Sequence, residues 1–186
     1  MPGTKPGMTA FSMTSLIIRP AVAADVPAIT RIYAHAVEHG TASFELNAPD
    51  ETEMARRMAK LLEGGFPYLA AEINGRLAGY AYAGLYRERP AYRKTVEDSV
   101  YVAPDMHKRG IGSALLLALI EAAVARGFRQ MIAVIGDSNQ AASIALHESA
   151  GFHHAGNLEN VGFKHGRWLD TVLMQIALGS GATTDP

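Results

Sequence analysis

Glu97 is a carboxylate in a strand-like segment, a residue type and a position that suit proton transfer. It lies in TVEDSVYV (95–102), an alternating run that is typical of a β-strand. The alternation places Glu97 on one face with Ser99 and Tyr101, and Asp98 on the other. A carboxylate in a mostly buried strand has a raised pKa and can accept a proton directly or through water. We predict Glu97 as a general base, with Asp98 as second candidate; a solvated carboxylate or an arginine partner is the structural alternative.

A histidine in SNQAASIALHESAGF (138–152) is the second candidate. This segment has the pattern of a helix, over 139–149, ended by a glycine. Asn139, Ser143 and His147 recur at intervals of four, so such a helix would carry all three on one face. Because histidine titrates near neutral pH, His147 is a candidate general acid. The alternative is a core histidine with satisfied hydrogen bonds, and the sequence leaves both open.

Two glycines begin a helix in VAPDMHKRGIGSALL (102–116), although Gly is the least favourable ordinary residue in helices. The first helical turn has backbone N–H groups without partners, and the helix dipole adds partial positive charge there. Gly110 and Gly112 let an anion approach this backbone, while Lys108 and Arg109 add charge. The sequence therefore predicts a phosphate-binding turn. The Walker pattern is absent and the third Rossmann glycine is a leucine, which disfavours a nucleotide-binding module.

A regular series of elements surrounds these segments. Periodicity, capping residues and turns predict a strand at 16–21, a helix from a cap at Asp25 to Gly40, a helix at 51–63 capped by Asp50, a hairpin around Asn74-Gly75, a strand at 95–102, a helix at 110–126, a strand at 130–136, a helix at 139–149 and one or two final strands. The pattern indicates a single α/β (α+β) domain, with parallel pairing between the strands that flank the helix at 110–126.

The composition narrows the class of protein. With 17 Lys+Arg against 18 Asp+Glu, the net charge of −1 argues against a general nucleic-acid binder. No segment reaches the length of a membrane helix, so we expect no membrane partner. Because cysteine is absent, disulfides, thiolate metal sites and a Cys nucleophile are excluded, and the chain is compatible with a reducing cytoplasm. His35 and His39 lie four residues apart without an identifiable third ligand, so no metal is expected.

The chain of 186 residues suits one domain, which we place at 14–178. Residues 1–13 contain two prolines and two glycines and are expected to be flexible. The true start could be Met1, Met8 or Met13. Residues 179–186 are expected to form a flexible tail.

Two segments resemble the cofactor-binding segments of the GNAT acetyltransferase superfamily. HKRGIGSALL resembles its coenzyme A pyrophosphate loop, Arg/Gln-x-x-Gly-x-Gly/Ala, with His107 in the first place, and SNQAASIALHESAGF resembles its second segment. RERPAYRKTVEDSVYV, AVIG, LHESAGF and GFKHGRWLD together resemble the phosphinothricin N-acetyltransferase family, which includes enzymes acting on methionine sulfoximine and methionine sulfone. The match covers residues 16–176. It implies the GNAT fold, a mixed and mostly antiparallel twisted sheet with a parallel central pair, flanked by helices.

The resemblance implies acetyl-CoA as co-substrate. The contacts that it implies are made by His107, Lys108, Arg109, Gly110, Ile111, Gly112, Ser113, Asn139 and Ser143. In the superfamily a backbone N–H near Val102 contacts the thioester carbonyl, and we carry this over as an oxyanion donor.

The resemblance also implies direct acetyl transfer to the amino group of a small amino-acid-like substrate. Glu97 stands at the family's matching glutamate, and His147 would protonate the leaving thiolate. For the acceptor we favour Arg89 and Tyr92 of YRERPAYRK, with Phe44 as a pocket wall.

Other functions stay open at this point. The same fold could acetylate a protein N-terminus or a polyamine, although the Arg/Tyr-rich loop argues against a cationic polyamine. A non-catalytic acyl-CoA sensor is a third hypothesis, and retention of Glu97 and His147 argues against it. Many relatives pair as dimers, so by analogy we expect a homodimer.

Overall fold

Residues 15–186 of the chain fold into one seven-stranded sheet with four α-helices. The structure is a computed structural model that describes residues 15–186, so the predictions for residues 1–13 and for the start codon lie outside the described residues. In chain order the elements are β1 (Leu16–Pro20), α1 (Val26–His39), α2 (Glu51–Glu63), β2 (Tyr68–Ile73), β3 (Arg76–Leu85), β4 (Thr95–Val102), α3 (Ile111–Ala125), β5 (Gln130–Gly136), α4 (Ala141–Ser149), β6 (His153–Lys164) and β7 (Arg167–Ala177).

The strand order in the sheet is β1-β2-β3-β4-β5-β7-β6. Every neighbouring pair is antiparallel except β4 and β5, which run parallel because α3 carries the chain back between them. The predicted mixed sheet with one parallel central pair is therefore confirmed. The hairpin predicted at Asn74-Gly75 joins β2 to β3.

Helices cover both faces of the sheet. On one face, Leu115, Leu116 and Leu119 of α3 are buried against small strand residues such as Ala81. On the other, α1 and α2 pack against Tyr80, the neighbour of Ala81 on β3. This alternation is that of a strand buried on both sides. It fixes which side chains of β4 face α1 and which face the α3–α4 layer.

Two aspartates were predicted to cap helices, and the structure confirms the cap of α2 but not that of α1. Asp50 caps α2, since its carboxylate accepts the Glu53 N–H at 2.8 Å. Asp25 does not cap α1 in this way. Its carboxylate accepts the Val22 N–H at 2.8 Å and two hydrogen bonds from Arg19, each at 2.8 Å. It closes the short turn before α1 instead.

The tail predicted as flexible folds back onto the start of β5. Arg129 donates hydrogen bonds to Gly181 O at 3.2 Å, Thr184 Oγ1 at 2.8 Å and Asp185 O at 2.9 Å. The Arg129 guanidinium binds the tail through two of its nitrogens, and the composition of the tail alone does not show that this partner exists. Within residues 15–186, none of the helices combines the length and the apolarity needed to cross a membrane.

Candidate active site

A break in the sheet creates the centre of the site. The pairing of β4 with β5 extends only from Thr95–Asp98 to Gln130–Ala133. Within the described part of the chain, the carboxyl half of β4, from Ser99 onward, therefore has no partner strand on that side. A cavity of about 60 Å³ lies in this gap, and its walls come from β4, β5 and α4, including Asp98, Ser99, Val100, Ala133, Ile135, Gln140, Ser143 and His147.

Glu97 lies in a second, larger cavity of about 280 Å³. As the strand alternation predicts, Ser99 and Tyr101 line the same cavity, joined by Tyr33 of α1 and Tyr82 of β3. Glu97 is half-buried, and this burial raises its pKa. The charge of Asp98 raises the pKa further, whereas Arg87 opposes the shift. A carboxylate with a raised pKa next to an open cavity has the properties of a general base.

His147 is held on both ring nitrogens. Nδ1 lies 2.7 Å from Ser143 O, and Nε2 lies 3.0 Å from Asp98 Oδ2. Burial favours the neutral ring, but the hydrogen bond and charge of Asp98 outweigh it and raise the pKa of His147. This is the geometry of the alternative reading, a core histidine with satisfied hydrogen bonds. To protonate a thiolate directly, His147 would first have to break the bond to Asp98.

The predicted phosphate-binding turn begins α3. Gly110 has the left-handed φ of +74°, which brings the turn out of β4 into the helix, and Lys108 has φ +62°. The first helical bond runs from Ala114 N to Gly110 O at 3.0 Å. Among residues 15–186, the N–H groups from Gly110 to Ser113 have no hydrogen-bond acceptor. They are free to bind an anion.

His107 and Asn139 differ from the remaining predicted cofactor residues because their side chains have partners. The His107 ring donates through Nε2 to Val102 O at 3.1 Å, which ties the turn to the end of β4. Asn139 lies before α4, which begins at Ala141, so the prediction that a helix carries it with Ser143 and His147 was wrong. Its amide donates to Asp137 Oδ1 at 3.1 Å, and this local bond keeps it out of the helix.

Phe44 forms a wall of the Glu97 cavity. Its ring lies directly on the backbone of Gly136 and Gly162, where any Cβ would collide with it. Gly136 also lies against the backbone oxygen of Thr41 and therefore requires glycine, whereas a Cβ at Gly162 would displace the Phe44 ring.

A polar cluster that extends from buried Lys164 and Tyr33 to half-buried Glu45 and Arg57 holds the segment that carries Phe44. Lys164 is 4% exposed and donates to Ser43 O at 2.6 Å. The Tyr33 hydroxyl donates to Glu45 Oε1 at 2.8 Å, and Arg57 donates to the same oxygen at 2.5 Å. Burial opposes the charge of Glu45, but the bonds from Arg57 and Tyr33 prevail and lower its pKa. This cluster was not predicted. Its signal in the sequence is Tyr33, a polar-tipped residue within the apolar stripe of α1.

Among residues 15–186, Arg89 and Tyr92 do not line the Glu97 cavity, and their role as acceptor contacts stays a prediction. Both are exposed, and the short helix Pro90–Tyr92 directs this part of the loop outward. Tyr92 packs edge-on against Tyr86, with ring centroids 5.7 Å apart. Arg87, which lies over the Tyr86 ring, is the loop arginine whose charge acts on Glu97.

The geometry matches a known family. A model of the acetyltransferase (GNAT) domain matches residues 18–173. The chain belongs to the GNAT acetyltransferase family. Phosphinothricin N-acetyltransferase of Alcaligenes faecalis is 58% identical over 162 residues, which is 87% of this chain and 82% of that protein. L-methionine sulfoximine/L-methionine sulfone acetyltransferase of Salmonella typhimurium is 43% identical over 171 residues, covering 91% and 99% of the two chains.

A solved structure shows the same fold with cofactor. The phosphinothricin acetyltransferase of Sinorhizobium meliloti in complex with AcCoA has a TM-score of 0.90 and 49% identity, covering 94% of each chain. The predicted superfamily and narrower resemblance are thus confirmed. This GNAT acetyltransferase is an enzyme, and acetyl-CoA is its co-substrate.

The described residues fit that co-substrate. The free N–H groups at the start of α3 can donate hydrogen bonds to phosphate oxygens, and the gap between β4 and β5 can hold a narrow chain beside Ser143. Within residues 15–186 of this GNAT acetyltransferase, no group of three or more His, Cys, Asp or Glu side chains could hold a metal ion.

Proposed function

We propose that this GNAT acetyltransferase acetylates the amino group of a small amino-acid-like acceptor of the phosphinothricin, methionine sulfoximine and methionine sulfone class. One observation carries the proposal. The gap between β4 and β5 and the Glu97 cavity share a wall, formed by Ala42, Asp98, Ser99, Tyr101, Val134 and Gly136. A thioester in the gap and an amine beside Glu97 would therefore be neighbours. The names of the relatives support this class of acceptor.

The start of α3 would hold the cofactor. The backbone from His107 to Ser113 would bind its phosphates, with Lys108 and Arg109 adding charge, and Ser143 would line its arm. Asn139, whose side-chain amide binds Asp137, would hold the turn before α4 in place beside the cofactor. The Val102 N–H is the proposed oxyanion donor. Because Ala103 N donates to Ala78 O on β3 at 2.9 Å, strand alternation directs the Val102 N–H to the other side, toward the gap.

Glu97 would remove a proton from the acceptor ammonium, directly or through water. Only the neutral amine can attack the thioester carbonyl, and the raised pKa of Glu97 brings its basicity closer to that of the amine. The acetyl group then passes from sulfur to nitrogen without a covalent enzyme intermediate: the C–N bond forms, the C–S bond breaks, CoA leaves as the thiolate, and the extra proton on the new amide nitrogen neutralises that thiolate. We assign no direct proton donation to His147, because both of its ring nitrogens are bound.

Phe44 and Arg87 are the proposed acceptor contacts. Phe44 walls the cavity, and a guanidinium near Glu97 would bind the carboxylate of an amino-acid-like acceptor. A cationic polyamine offers no such carboxylate.

The test is release of free CoA from acetyl-CoA with methionine sulfone, methionine sulfoximine, phosphinothricin, methionine and spermidine as acceptors. Wild type would be compared with Glu97→Gln and with Glu88→Gln, a matched change in the exposed loop. We expect turnover of the first three acceptors and a loss of roughly 100-fold or more in Glu97→Gln, the usual contribution of a general base. Glu88→Gln should match wild type.

Two results would contradict the proposal. Turnover of spermidine alone would overturn the acceptor class. Binding of CoA without turnover of any acceptor would favour the sensor hypothesis.

The homodimer and the cytoplasmic location stay predictions. The edge strand β6 and its neighbour β7 expose Leu158, Val161, Phe163 and Trp168, between 48% and 62% accessible. Apolar side chains exposed at a sheet edge are typical of an interface, and we propose a second copy as the occupant. Light scattering should show a dimer that Trp168→Glu dissociates and Leu85→Glu, an exposed apolar control, does not. A wild-type protein that is monomeric in solution would contradict the proposed dimer.

A further inference from the structure

A buried ionisable pair joins β4 to α4 beside the active site. The side chains of Asp98 and His147 are 2% and 5% exposed, and Oδ2 and Nε2 lie 3.0 Å apart. A backbone carbonyl can only accept, so the His147 Nδ1 at 2.7 Å from Ser143 O carries a proton. Nε2 then faces a carboxylate oxygen. The ring makes a charge-assisted hydrogen bond to Asp98 when Nε2 also carries a proton and the Asp98 carboxylate is ionised.

Asp98 has one further property. Its second oxygen, Oδ1, is buried and has no hydrogen-bond partner among residues 15–186. A buried carboxylate oxygen without a partner is uncommon in folded proteins, so it calls for a function. Asp98 is also the residue next to Glu97, and it is among the residues that line both the gap and the Glu97 cavity.

We propose that Asp98 is a positioning residue with two effects: it holds His147 as a doubly protonated ring, and it places a negative charge beside Glu97 that strengthens Glu97 as a base. The first effect stands on geometry alone. The second rests on the proposed function of Glu97.

Among the groups around Glu97, Asp98 is the charged neighbour that raises the basicity of Glu97. The titratable groups lining its cavity are the phenols of Tyr33, Tyr82 and Tyr101, and Asp98 itself. Burial raises the pKa of each phenol, so all three are neutral at working pH. Beyond the lining, the positive charge of Arg87 acts in the opposite direction. Removing the charge of Asp98 also removes the second proton of His147, but the charge of that ring is not among the causes that shift the pKa of Glu97. Burial and Arg87 are then left to set the basicity of Glu97.

The first effect is tested without any activity. His147 is assigned in ring ¹⁵N–¹H spectra by the signal that His147→Gln removes. In wild type at neutral pH we expect both ring nitrogens to be protonated. In Asp98→Asn, we expect Nδ1 alone to be protonated, because Ser143 O still binds it and the charge that stabilises the second proton is gone. A wild-type His147 with an unprotonated Nε2 at neutral pH would overturn this half, even if Asp98→Asn failed to fold.

The second effect is read from the pH dependence of kcat/KM. Asp98→Asn should move the acid limb to lower pH, since Glu97 loses a neighbouring negative charge. Asp105→Asn, which removes an exposed carboxylate paired with Arg76, should leave the limb in place. An unmoved limb in Asp98→Asn would overturn the second half. Absence of turnover in wild type would refute the proposed function instead, while the ring spectra would still decide the first half.

Discussion

Phe44 lies so close to Gly162 that a β-carbon on Gly162 would come within 2.9 Å of three carbons of the ring. The two residues are far apart in sequence, and their contact brings the segment between α1 and α2 over the end of β6. It places an aromatic wall opposite Glu97.

This contact predicts a specific effect on the acceptor. Phe44→Ala and Gly162→Ala should each raise the KM for the acceptor roughly tenfold, about 1.4 kcal/mol of lost packing. The first removes the ring and the second displaces it. The KM for acetyl-CoA should be unchanged. Leu46→Ala, an exposed neighbour on the same segment, is the control and should match wild type. Equal losses for both substrates would contradict a role limited to the acceptor pocket.

Arg87 provides a second prediction, with a signed pH effect. Its charge lowers the pKa of Glu97, so Arg87→Ala should move the acid limb of kcat/KM to higher pH. Loss of a charged contact to the acceptor should also raise its KM, by roughly tenfold or more. Steady-state rates across pH measure both. Arg93→Ala, an exposed arginine of the same loop, should change neither. A limb that moves to lower pH would refute the assignment.

The charges before α3 should contribute to cofactor binding in a salt-dependent way. Arg109→Ala should weaken acetyl-CoA binding roughly twofold to fivefold at low salt, because exposed ion pairs contribute about 0.2–1 kcal/mol. The loss should shrink as salt is added, since salt screens exposed charges. Titration calorimetry at two salt concentrations is the measurement, with Arg126→Ala at the far end of α3 as control. A loss that does not depend on salt would argue against an electrostatic contact.

The buried pair also predicts how stability depends on pH. The pKa of His147 is raised in the folded state, so its contribution to the free energy of unfolding is complete below the unfolded value of about 6.5. The contribution is lost as pH rises through the folded pKa. In urea unfolding, the stability difference between wild type and His147→Gln should therefore be larger near the unfolded value than at alkaline pH. His39→Gln, an exposed control, should show no such trend. A difference that grows with pH would have the wrong sign.

Local signals in the sequence predicted much of the fold. The strand at 95–102 and the helix at 51–63 have the predicted bounds, because strand alternation and the Asp50 cap act within a few residues. Glu97 faces its cavity for the same reason. The start of α4 was predicted two residues early, since periodicity does not show that the Asn139 amide binds Asp137.

The parts that could not be predicted depend on distant contacts. Lys164 and Ser43 are 121 residues apart, and nothing near either residue indicates that they meet. The direction of a loop is equally hidden, so the sequence could not show that the charge of Arg87 acts on Glu97. The partner of His147 is Asp98, 49 residues away, so its state could not be decided from the helix alone.

The short pairing of β4 with β5 has a consequence for the whole molecule. In the part of the chain that the structure describes, four residue pairs, Thr95–Asp98 of β4 with Gln130–Ala133 of β5, join the strands β1–β4 to the strands β5–β7, and α3 packs across the junction. A ligand that spans the gap would act as a cross-brace between the two halves. Acetyl-CoA should therefore protect the backbone amides of Val100 and Val102 from hydrogen exchange and raise the unfolding temperature, because it binds the folded state alone.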